Sequence, residues 1–391
     1  MINIAEVLKN YDKTKLTIGV LGGHSALDVC AGATKLGFDT VAVCQKGRDK
    51  TYSEYYRREQ ERGCVGNVIL VDNFADIVKP EVQDELRALN TIFVHNRYFW
   101  VYCNFDEIEN DFNVPIYGTR DMLKLEERDV ELNQYELLKL AGIRTPKILR
   151  PGASGITGDE LNKLLDDHFV INKGGPLIVK VNEAHRGYER AFFTITSEHQ
   201  YHKTSAAMLE KGTIIQEDLD NSVIEEFIIG AQVNFNFFYS PLNNRIELMG
   251  TDMRRQTSLD GFLRLDAKTQ IDLLDNGYKP SMVENGHVAI TIKESLVEKA
   301  YAEAEKFVAA TKEHCAPGII GPFALQGAVA SYEGREDIVI FDVSMRIPGS
   351  PGTAYTPYTN YMYGKNLSYG ERIAMEIAAA AYSNKLEKLL T

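Results

Sequence analysis

Short apolar runs alternate with amphipathic segments through the first third of the chain. The segments 25–37 and 82–89 have apolar positions at helical spacing, and the apolar runs around them are LTIGVLGG, FDTVAVCQ, NVILVDNF and NTIFVHN. Buried strands that alternate with helices are typical of a parallel sheet with helices on its faces. The pattern therefore predicts an α/β domain, which Pro115 closes.

The rest of the chain has an α+β pattern. Residues 122–142 form a charged amphipathic segment, which predicts one helix that ends at Gly142. A further helix is predicted over 290–314, and the Tyr- and Pro-rich segment 351–366 is expected to be a loop before an Ala-rich final helix. The extended segments that predict strands are 176–183, 192–196, 223–240, 245–255, 321–331 and 337–347.

Length, charge and cysteine usage limit the classes of function. The 391 residues are enough for two or three domains, and 44% of them are apolar. Lys and Arg number 43 against 55 Asp and Glu, a net charge of −12, which argues against nucleic acid or an anionic membrane as a partner. Scattered cysteines, no signal peptide and no apolar window of about 18 residues predict a soluble cytoplasmic protein.

The first apolar run ends in a glycine turn, GVLGGHSALD, that has features of an anion site. Gly22 and Gly23 would let a ligand approach the backbone, and Ser25 with Asp28 matches a capping box at the start of a helix. The unpaired N–H groups of a helix start attract anions, and His24 adds a donor that a bound phosphate would make positive. An ordinary strand–helix turn with a locally bonded histidine is the commoner explanation of such a stretch.

Two features further along the chain point to a nucleotide. Lys180 lies inside an apolar strand, LIVKV, where an unpaired ammonium is costly, so it is expected to face a cleft and bind phosphates. The loop after it, 182–191, has a single glycine, fewer than a phosphate loop usually has. Glu225 and Glu226 then precede three apolar residues and Gly230, a candidate hinge for an adenine ring. An edge strand with solvated acids is the alternative explanation.

Two predicted strands near the C-terminus each carry an oxygen ligand. Gln326 and Asp342 lie on strands predicted to be adjacent, and hard oxygen ligands suit Mg²⁺ that also binds nucleotide phosphates. Arg346 follows four residues after Asp342 and is expected to reach the same transferring phosphoryl group. Taken alone, each of these side chains is also explained by a local hydrogen bond.

In this order the features resemble an ATP-grasp enzyme, and their details resemble the archaeal formate-dependent FAICAR synthetase family. The resemblance runs nearly end to end and is carried by GGHSALDVCAGATKLGFDT, VIEEFIIG with NFNFFYSPL, ELMGTDMRRQTSLDG, IIGPFALQ and FDVSMRIPG. It implies an ATP-grasp fold with a Rossmann-like N-terminal domain over 1–122, a lid subdomain with a connecting helix over 123–225, and a C-terminal subdomain over 226–391. It also implies a homo-oligomer.

Members of this family make 5-formaminoimidazole-4-carboxamide ribonucleotide from AICAR, formate and ATP, through an acyl phosphate, in purine biosynthesis. The resemblance implies the same carbon–nitrogen ligase activity, with ATP and with Mg²⁺ or Mn²⁺. It implies catalytic roles for Lys180 and Arg346 and metal binding by Gln326 and Asp342. The residues implied to bind ATP are Lys180, Glu225, Glu226, Phe227, Ile228 and Gln232, and those implied to bind the acceptor are His24, Ser25, Tyr98, Gln256 and His287.

Three of the acceptor positions depart from the family pattern. Tyr98 stands where the family has a small serine, Gln256 replaces a glutamate and His287 replaces an asparagine. Such changes alter the volume and polarity of a pocket, and a site built from specific hydrogen bonds rejects poor partners strongly. The alternatives are therefore a diverged ligase for another amine or carboxylate, and a nucleotide-binding subunit without catalysis. The retained ATP and metal positions favour an enzyme.

Overall fold

The computed structural model describes residues 2–127, 130–181, 191–278, 280–281, 283–332 and 335–391, and their strands form three sheets. The strands are β1 (Thr17–Leu21), β2 (Asp39–Gln45), β3 (Asn67–Val71), β4 (Thr91–Val94), β5 (Ile116–Tyr117), β6 (Ile148–Arg150), β7 (Leu177–Lys180), β8 (Phe192–Ile195), β9 (Val223–Glu226), β10 (Ala231–Ser240), β11 (Arg245–Gln256), β12 (Glu284–Ile290), β13 (Gly321–Tyr332) and β14 (Arg335–Ser344).

Helices cover the sheets and connect them. The α-helices are α1 (Ile4–Leu8), α2 (Ala26–Lys35), α3 (Pro80–Ala88), α4 (Arg97–Tyr102), α5 (Phe105–Asn110), α6 (Gln134–Leu140), α7 (Gly158–Asp166), α8 (Glu198–Glu210), α9 (Gln216–Asp220), α10 (Leu259–Phe262), α11 (Ala267–Asp275), α12 (Glu294–His314), α13 (Tyr358–Tyr363) and α14 (Tyr369–Tyr382). Short 3₁₀ or π turns cover Thr51–Tyr55, Phe74–Val78, Arg120–Glu126, Asp167–Ile171, Pro351–Tyr355 and Leu386–Lys388. Among the described helices, none combines the length and the apolar character needed to cross a membrane.

The first sheet is wholly parallel, in the order β3-β2-β1-β4-β5. Its central strand β1 is buried along its whole length because both faces of the sheet are covered, which explains the unbroken apolar run. Val20 pairs with Ala42 on one side and with Val94 on the other. The predicted α/β arrangement is confirmed. Ligands of such folds bind at the carboxyl ends of the strands, where the glycine turn follows β1.

The charged segment 122–142 is not a single helix, so that prediction is wrong. A 3₁₀ turn ends at Glu126, and α6 begins several residues later. The cause is local, because the Asn133 side chain accepts hydrogen bonds from two N–H groups of α6 and thereby starts a new helix. The predicted end is confirmed, since Gly142 has φ +64°, the left-handed conformation typical of a helix stop.

Two antiparallel sheets occupy the middle of the chain. The four-stranded sheet has the order β6-β9-β7-β8, and the five-stranded sheet has the order β12-β11-β10-β13-β14. Helix α12 covers the five-stranded sheet, with the Phe307 ring 5.6 Å from the Phe323 ring between centroids. The two strands predicted near the C-terminus are adjacent, and Gln326 of β13 pairs with Asp342 of β14. This register places the two candidate metal ligands side by side.

The helix α14 returns to the first sheet and packs against α2. The two helices approach backbone to backbone at Gly32 and Gly370, where a Cβ on either residue would overlap the opposite helix. The Gly370 N–H also donates to the Asp28 carboxylate at 3.0 Å. Before this helix, segment 351–366 contains a 3₁₀ turn and α13, so the prediction of a loop there is only partly right.

Candidate active site

Two cavities adjoin on the inner side of the antiparallel sheets. The larger has a volume of about 310 Å³, and both antiparallel sheets contribute to its walls. The residues that line it include Pro146, Ile178, Lys180, Phe192, Glu225, Glu226, Phe227, Ile228, Gln232, Asn234, Met253, Arg254, Gln256, Leu259, Phe341 and Asp342. All six residues that the sequence resemblance assigns to ATP are in this set.

Lys180 reaches the larger cavity from the end of β7, and its ammonium contacts groups that include a carboxylate, a carbonyl and a hydroxyl. The Nζ atom is 2.6 Å from a carboxylate oxygen of Glu225 on the neighbouring strand β9. It also donates to the Phe341 carbonyl at 3.0 Å and to the Tyr135 hydroxyl at 3.2 Å. The side chains of the ion pair are only 5% and 1% exposed, so the cost of burying the lysine is offset by its partner.

The predicted hinge consists of the last two residues of β9 and the short connection to β10. The N–H groups of Glu226 and Phe227 already donate to the carbonyls of Lys147 and Pro176, both at 2.9 Å. An adenine edge would therefore have to be read by other backbone groups of the hinge. The side chains of Phe227 and Ile228 line the cavity and offer apolar surface to a ring.

The smaller cavity has a volume of about 50 Å³ and is lined mainly by polar and charged side chains. It shares Asn234, Arg254 and Asp342 with the larger cavity, so the two meet at these residues. Its other lining residues include His24, Arg97, Trp100, Glu126, Asn236, Asp252, Glu284, His287, Gln326, Ser344, Arg346, Gly349 and Ser350. Five predicted site residues, His24, His287, Gln326, Asp342 and Arg346, are thus brought together here.

Gln326 and Asp342 lie side by side where the cavities meet. The Gln326 side-chain amide donates to the Ser344 hydroxyl at 2.8 Å, and its oxygen accepts from a terminal N–H of Arg254. The same Arg254 nitrogen is 3.8 Å from an Asp342 oxygen. Among the described residues there is no group of three or more His, Cys, Asp or Glu placed to hold a metal. One amide and one carboxylate oxygen fit Mg²⁺ that takes its other ligands from water and phosphate.

His287 bridges two carboxylates beside this pair. Its Nδ1 is 2.5 Å from an Asp252 oxygen, and its Nε2 is 2.8 Å from a Glu284 oxygen. The amides of Asn234 and Asn236 also donate to Asp252, at 2.8 and 2.5 Å. Burial lowers the pKa of His287, but the hydrogen bonds to Asp252 and Glu284 outweigh burial and raise the pKa to about 9. The ring is therefore protonated at neutral pH and donates to both acids.

His24 is neutral in its present surroundings. Burial, and then the positive charges of Arg346 and Arg97, lower the pKa of His24 well below its ordinary value. Its Nδ1 atom is buried without a hydrogen-bond partner among the described residues, so it can bond to a polar ligand. Arg346 itself pairs with the buried Glu126 carboxylate at 3.2 Å. A bound anion would have to overcome burial and both arginines before His24 became positive.

The space beside the two glycines of the turn is occupied by the protein's own side chains. A Cβ at Gly23 would overlap the ring of Tyr98, and one at Gly22 would meet the sulfur of Cys44. Tyr98 lines neither cavity, and its hydroxyl accepts a hydrogen bond from Arg48 at 3.0 Å. The two glycines therefore allow internal packing at this point.

The predicted capping box is wrong. Ser25 has φ +70° and makes no side-chain cap; its hydroxyl donates to the Pro348 carbonyl at 2.8 Å. Asp28 is bonded to α14 as described above. Ser25 lines neither cavity, and Gln256 lines the larger cavity only. Residues 182–190 of the predicted phosphate loop lie outside the described residues.

Sequence analysis missed the residues that organise the junction of the cavities. Arg254 contacts Gln326 and Glu284. Neither Arg254 nor Glu284 belongs to a motif that is recognisable in the sequence. One signal was present, because Asp252 and Arg254 are two residues apart on a predicted strand and therefore share one face. The strand pairing that sets Arg254 opposite His287 could not be read from the sequence.

Solved structures with a similar architecture have the ATP-grasp fold. An IMP biosynthesis protein from Thermococcus kodakaraensis has a TM-score of 0.67 at 24% identity, over 96% of this chain and 100% of that chain. The N5-carboxyaminoimidazole synthetase of Staphylococcus aureus, complexed with ADP, has a TM-score of 0.55 at 16% identity, over 88% of this chain and 74% of that chain. Identities this low show the fold alone. The fold is ATP-grasp with a parallel N-terminal sheet, as predicted.

The family follows from sequence similarity over the whole chain. A model described as a protein of unknown function (DUF1246) matches residues 18–149, and one described as a domain of unknown function (DUF1297) matches residues 200–391. The 5-formaminoimidazole-4-carboxamide-1-(beta)-D-ribofuranosyl 5'-monophosphate synthetase of Methanocaldococcus jannaschii is 34% identical, over 99% of this chain and 98% of its own length. The synthetase of the same name from Methanobrevibacter smithii is 35% identical, over 100% and 98%. The chain therefore belongs to the family of these synthetases.

Proposed function

We propose that the chain is an ATP-dependent carbon–nitrogen ligase that joins formate to the amine of AICAR, as its family resemblance implies. One observation carries the proposal. The residues assigned to ATP line one cavity, those assigned to the metal and two of the five assigned to the acceptor, His24 and His287, line the other, and the two cavities share Asn234, Arg254 and Asp342. Reactants held in the two cavities would be close enough for direct transfer of a phosphoryl group.

The proposed reaction has two steps. A formate oxygen attacks the γ-phosphorus of ATP, the bond from that phosphorus to the β,γ-bridging oxygen breaks, and ADP leaves with the electron pair. The amine nitrogen then attacks the carbon of formyl phosphate, the bond from carbon to the phosphate oxygen breaks, and the amine loses a proton. A bare carboxylate is a poor acyl donor, so the phosphate provides the leaving group. The products are a formamide, ADP and phosphate.

The larger cavity has the properties that a nucleotide requires. The buried ammonium of Lys180 supplies positive charge for phosphates, and Phe227 and Ile228 supply apolar surface for the base. Gln326 and Asp342 would hold Mg²⁺ or Mn²⁺, which when bound neutralises phosphate charge. The protein mainly positions the reactants and balances their charge.

The smaller cavity has the properties that the acid and amine require. Neutral His24 presents a buried ring nitrogen, and Arg346 and the protonated His287 attract anionic groups. Tyr98 and Gln256 do not line this cavity. The acceptor would therefore be held mainly by His24, His287 and Arg346.

Three further expectations accompany the proposal. The domain boundaries after residues 122 and 225 are supported by the sheets, because the parallel sheet lies in the first range, the four-stranded sheet in the second except for its last strand residue, and the five-stranded sheet in the third. Helix α14 nevertheless packs on α2 of the first range. Homo-oligomeric assembly and a cytoplasmic location stay predictions.

Turnover tests the proposal directly. The purified protein is incubated with ATP, Mg²⁺, formate and AICAR, and ADP and the formylated ribonucleotide are measured by chromatography. Both products are expected in equal amounts, and omission of any one substrate should abolish them. ADP that forms only with another amine or carboxylate would point to a diverged ligase. Calorimetric binding of ATP without turnover would point to a nucleotide-binding subunit.

A further inference from the structure

Arg254 occupies the junction of the two cavities. Of the three residues that line both, Asn234 carries a neutral amide and Asp342 a carboxylate, so Arg254 supplies the positive charge. Its side chain is 15% exposed, which keeps most of the guanidinium out of bulk water. Arg346, by contrast, lines the smaller cavity only and is paired with Glu126.

The guanidinium of Arg254 lies against the candidate metal ligands. Its Nε is 3.0 Å from a Glu284 oxygen, and a terminal N–H donates to the side-chain oxygen of Gln326. The same terminal nitrogen is 3.8 Å from an oxygen of Asp342. The planar guanidinium is thus held at the junction of the two cavities, where a phosphoryl group would move from the nucleotide to the carboxylate.

An ion pair with Glu284, and behind it a chain of hydrogen bonds, holds Arg254 in place. The second oxygen of Glu284 accepts from Nε2 of His287, and Nδ1 of His287 donates to Asp252. Asp252 is fixed by two asparagine amides of β10. With both of its oxygens engaged, Glu284 can direct the plane of the Arg254 guanidinium.

We propose that Arg254 is a further catalytic residue, whose guanidinium binds the phosphoryl group as it passes from nucleotide to carboxylate, and that Glu284 and His287 position it. The assignment rests on the proposed function. In the step concerned, the carboxylate oxygen forms a bond to the γ-phosphorus, the bond to the bridging oxygen breaks, and ADP takes the electron pair; no proton moves. Charge spreads over the three equatorial oxygens of the phosphoryl group, and the fork of guanidinium N–H groups matches their geometry.

The neighbouring Arg255 provides a matched control. It lies on the opposite face of β11, lines neither cavity and forms an ion pair with Asp260 at 2.6 Å, with 46% of its side chain exposed. Arg254→Gln, Arg254→Lys, Arg255→Gln and Arg255→Lys are compared with the wild type. Thermal melting shows whether each variant is folded, and Arg254→Lys, which keeps the charge, serves if Arg254→Gln does not fold.

Isothermal titration calorimetry measures the affinity for MgADP with and without aluminium fluoride, which mimics the phosphoryl group in transfer. Arg254→Gln is expected to bind MgADP like the wild type and to lose about 100-fold in affinity for the fluoroaluminate complex, with a similar loss in kcat. Arg254→Lys should recover part of both losses, and the Arg255 variants should change neither. Glu284→Gln and His287→Asn should weaken the fluoroaluminate complex less, and should add little when combined with Arg254→Gln.

Different outcomes separate this assignment from the proposed function. Undiminished fluoroaluminate affinity or kcat in folded Arg254→Gln overturns the assignment, as does an equal loss in the Arg255 variants. If the variants differ from the wild type in calorimetry as expected, but the wild type makes no ADP from formate and AICAR, the proposed substrates are rejected and the role of Arg254 stands. A wild-type protein that does not bind MgADP rejects both.

Discussion

The two adjoining cavities are built on opposite physical principles. The larger, of about 310 Å³, combines apolar side chains such as Phe227 and Ile228 with one buried ion pair between Lys180 and Glu225. The smaller, of about 50 Å³, is dominated by charged side chains. The larger cavity suits a flat ring with a charged tail, which apolar contact and one cation can hold.

In the smaller cavity, acids and bases are already paired with one another. Glu126 pairs with Arg346, and His287 lies between two acids, Asp252 and Glu284. Buried charges are tolerated only when they are paired and hydrogen-bonded. A ligand in this cavity must therefore exchange partners with an existing network, whereas in the larger cavity the one buried ion pair is that of Lys180 with Glu225 among the described residues. The difference predicts that mutations in the larger cavity change nucleotide affinity, whereas mutations in the smaller cavity change the stability of its charged network.

Removal of Lys180 should have the largest effect. Lys180→Met leaves the Glu225 carboxylate buried without its partner, so the free energy of unfolding should fall by about 3–5 kcal/mol. Chemical denaturation measures the stability and calorimetry measures the affinity for ADP. Exposed Lys163 on α7 is the control, and Lys163→Met should change neither quantity.

The double variant Lys180→Met/Glu225→Gln separates stability from binding. It removes both charges, so most of the lost stability should return while ADP affinity stays low. Wild-type affinity for ADP in this variant would show that Lys180 is not a phosphate ligand and that the larger cavity binds by apolar contact alone.

Loss of His287 should change the dependence of stability on pH. Because the folded pKa of about 9 exceeds the ordinary value of 6.5, the stabilisation by His287 is complete below pH 6.5 and is lost as the pH rises through 9. His287→Asn should therefore be less stable than the wild type at neutral pH, by on the order of 2 kcal/mol, and the difference should shrink above pH 9.

Denaturation curves between pH 6 and 10 measure this difference. His199→Asn on the exposed part of α8 is the matched control and should track the wild type throughout. A stability gap that is constant with pH would mean that His287 acts through packing, and that the smaller cavity does not depend on its charge.

Loss of the Asp342 carboxylate should reduce metal affinity. Asp342→Asn keeps the shape but removes the negative charge, so Mn²⁺ binding in the presence of ADP should weaken by at least about tenfold, since even outer-shell changes can cost that much. Electron paramagnetic resonance of free Mn²⁺ measures the binding. Asp337 lies on the same strand and pairs with Arg144 at 2.6 Å, away from both cavities, so Asp337→Asn should bind Mn²⁺ normally.

Tyr98→Phe should have the smallest effect. The change removes one hydrogen bond from Arg48, worth about 1 kcal/mol at most at this partly exposed position, and leaves the ring over Gly23 in place. Tyr102→Phe removes the other hydrogen bond of the same kind and should cost a similar amount. Because Tyr98 lines neither cavity, KM for each substrate should not change. A raised KM for the acceptor would instead favour the acceptor role that the sequence resemblance implies.

The strands and the larger cavity could be predicted from the sequence because their signals are local. Buried strands are unbroken apolar runs, and four of the ATP-assigned residues, Glu225 through Ile228, are consecutive. That the strands of Gln326 and Asp342 are neighbours was also predicted, but the irregularity between Gln326 and Gly327 that pairs Gln326 with Asp342 has no signal in the sequence. The single helix over 122–142 failed because helical composition does not reveal a cap such as Asn133.

The smaller cavity could not be predicted because its members are distant in sequence. Glu126, Arg254 and Glu284 come from three separate parts of the chain, and they meet His24, which a local pattern did indicate, only when those parts pack together. The sequence also does not show which glycines leave room for a ligand and which leave room for a side chain. The space beside Gly23 is occupied by Tyr98, more than seventy positions away. Patterns of a few residues therefore predict helices and strands, but they do not predict the distant side chains that pair with buried charges.

The glycine contact between α2 and α14 makes the Rossmann-like part dependent on residues far beyond it in the chain. Expressed alone as a fragment, the first 122 residues would lack the helix that covers Gly32 and would expose an apolar seam to water. A chimeric enzyme that borrows this sheet must borrow α14 as well. Exchange of the four-stranded sheet alone between relatives, which keeps α2 and α14 from one parent, should therefore be tolerated more readily than a single crossover after residue 122.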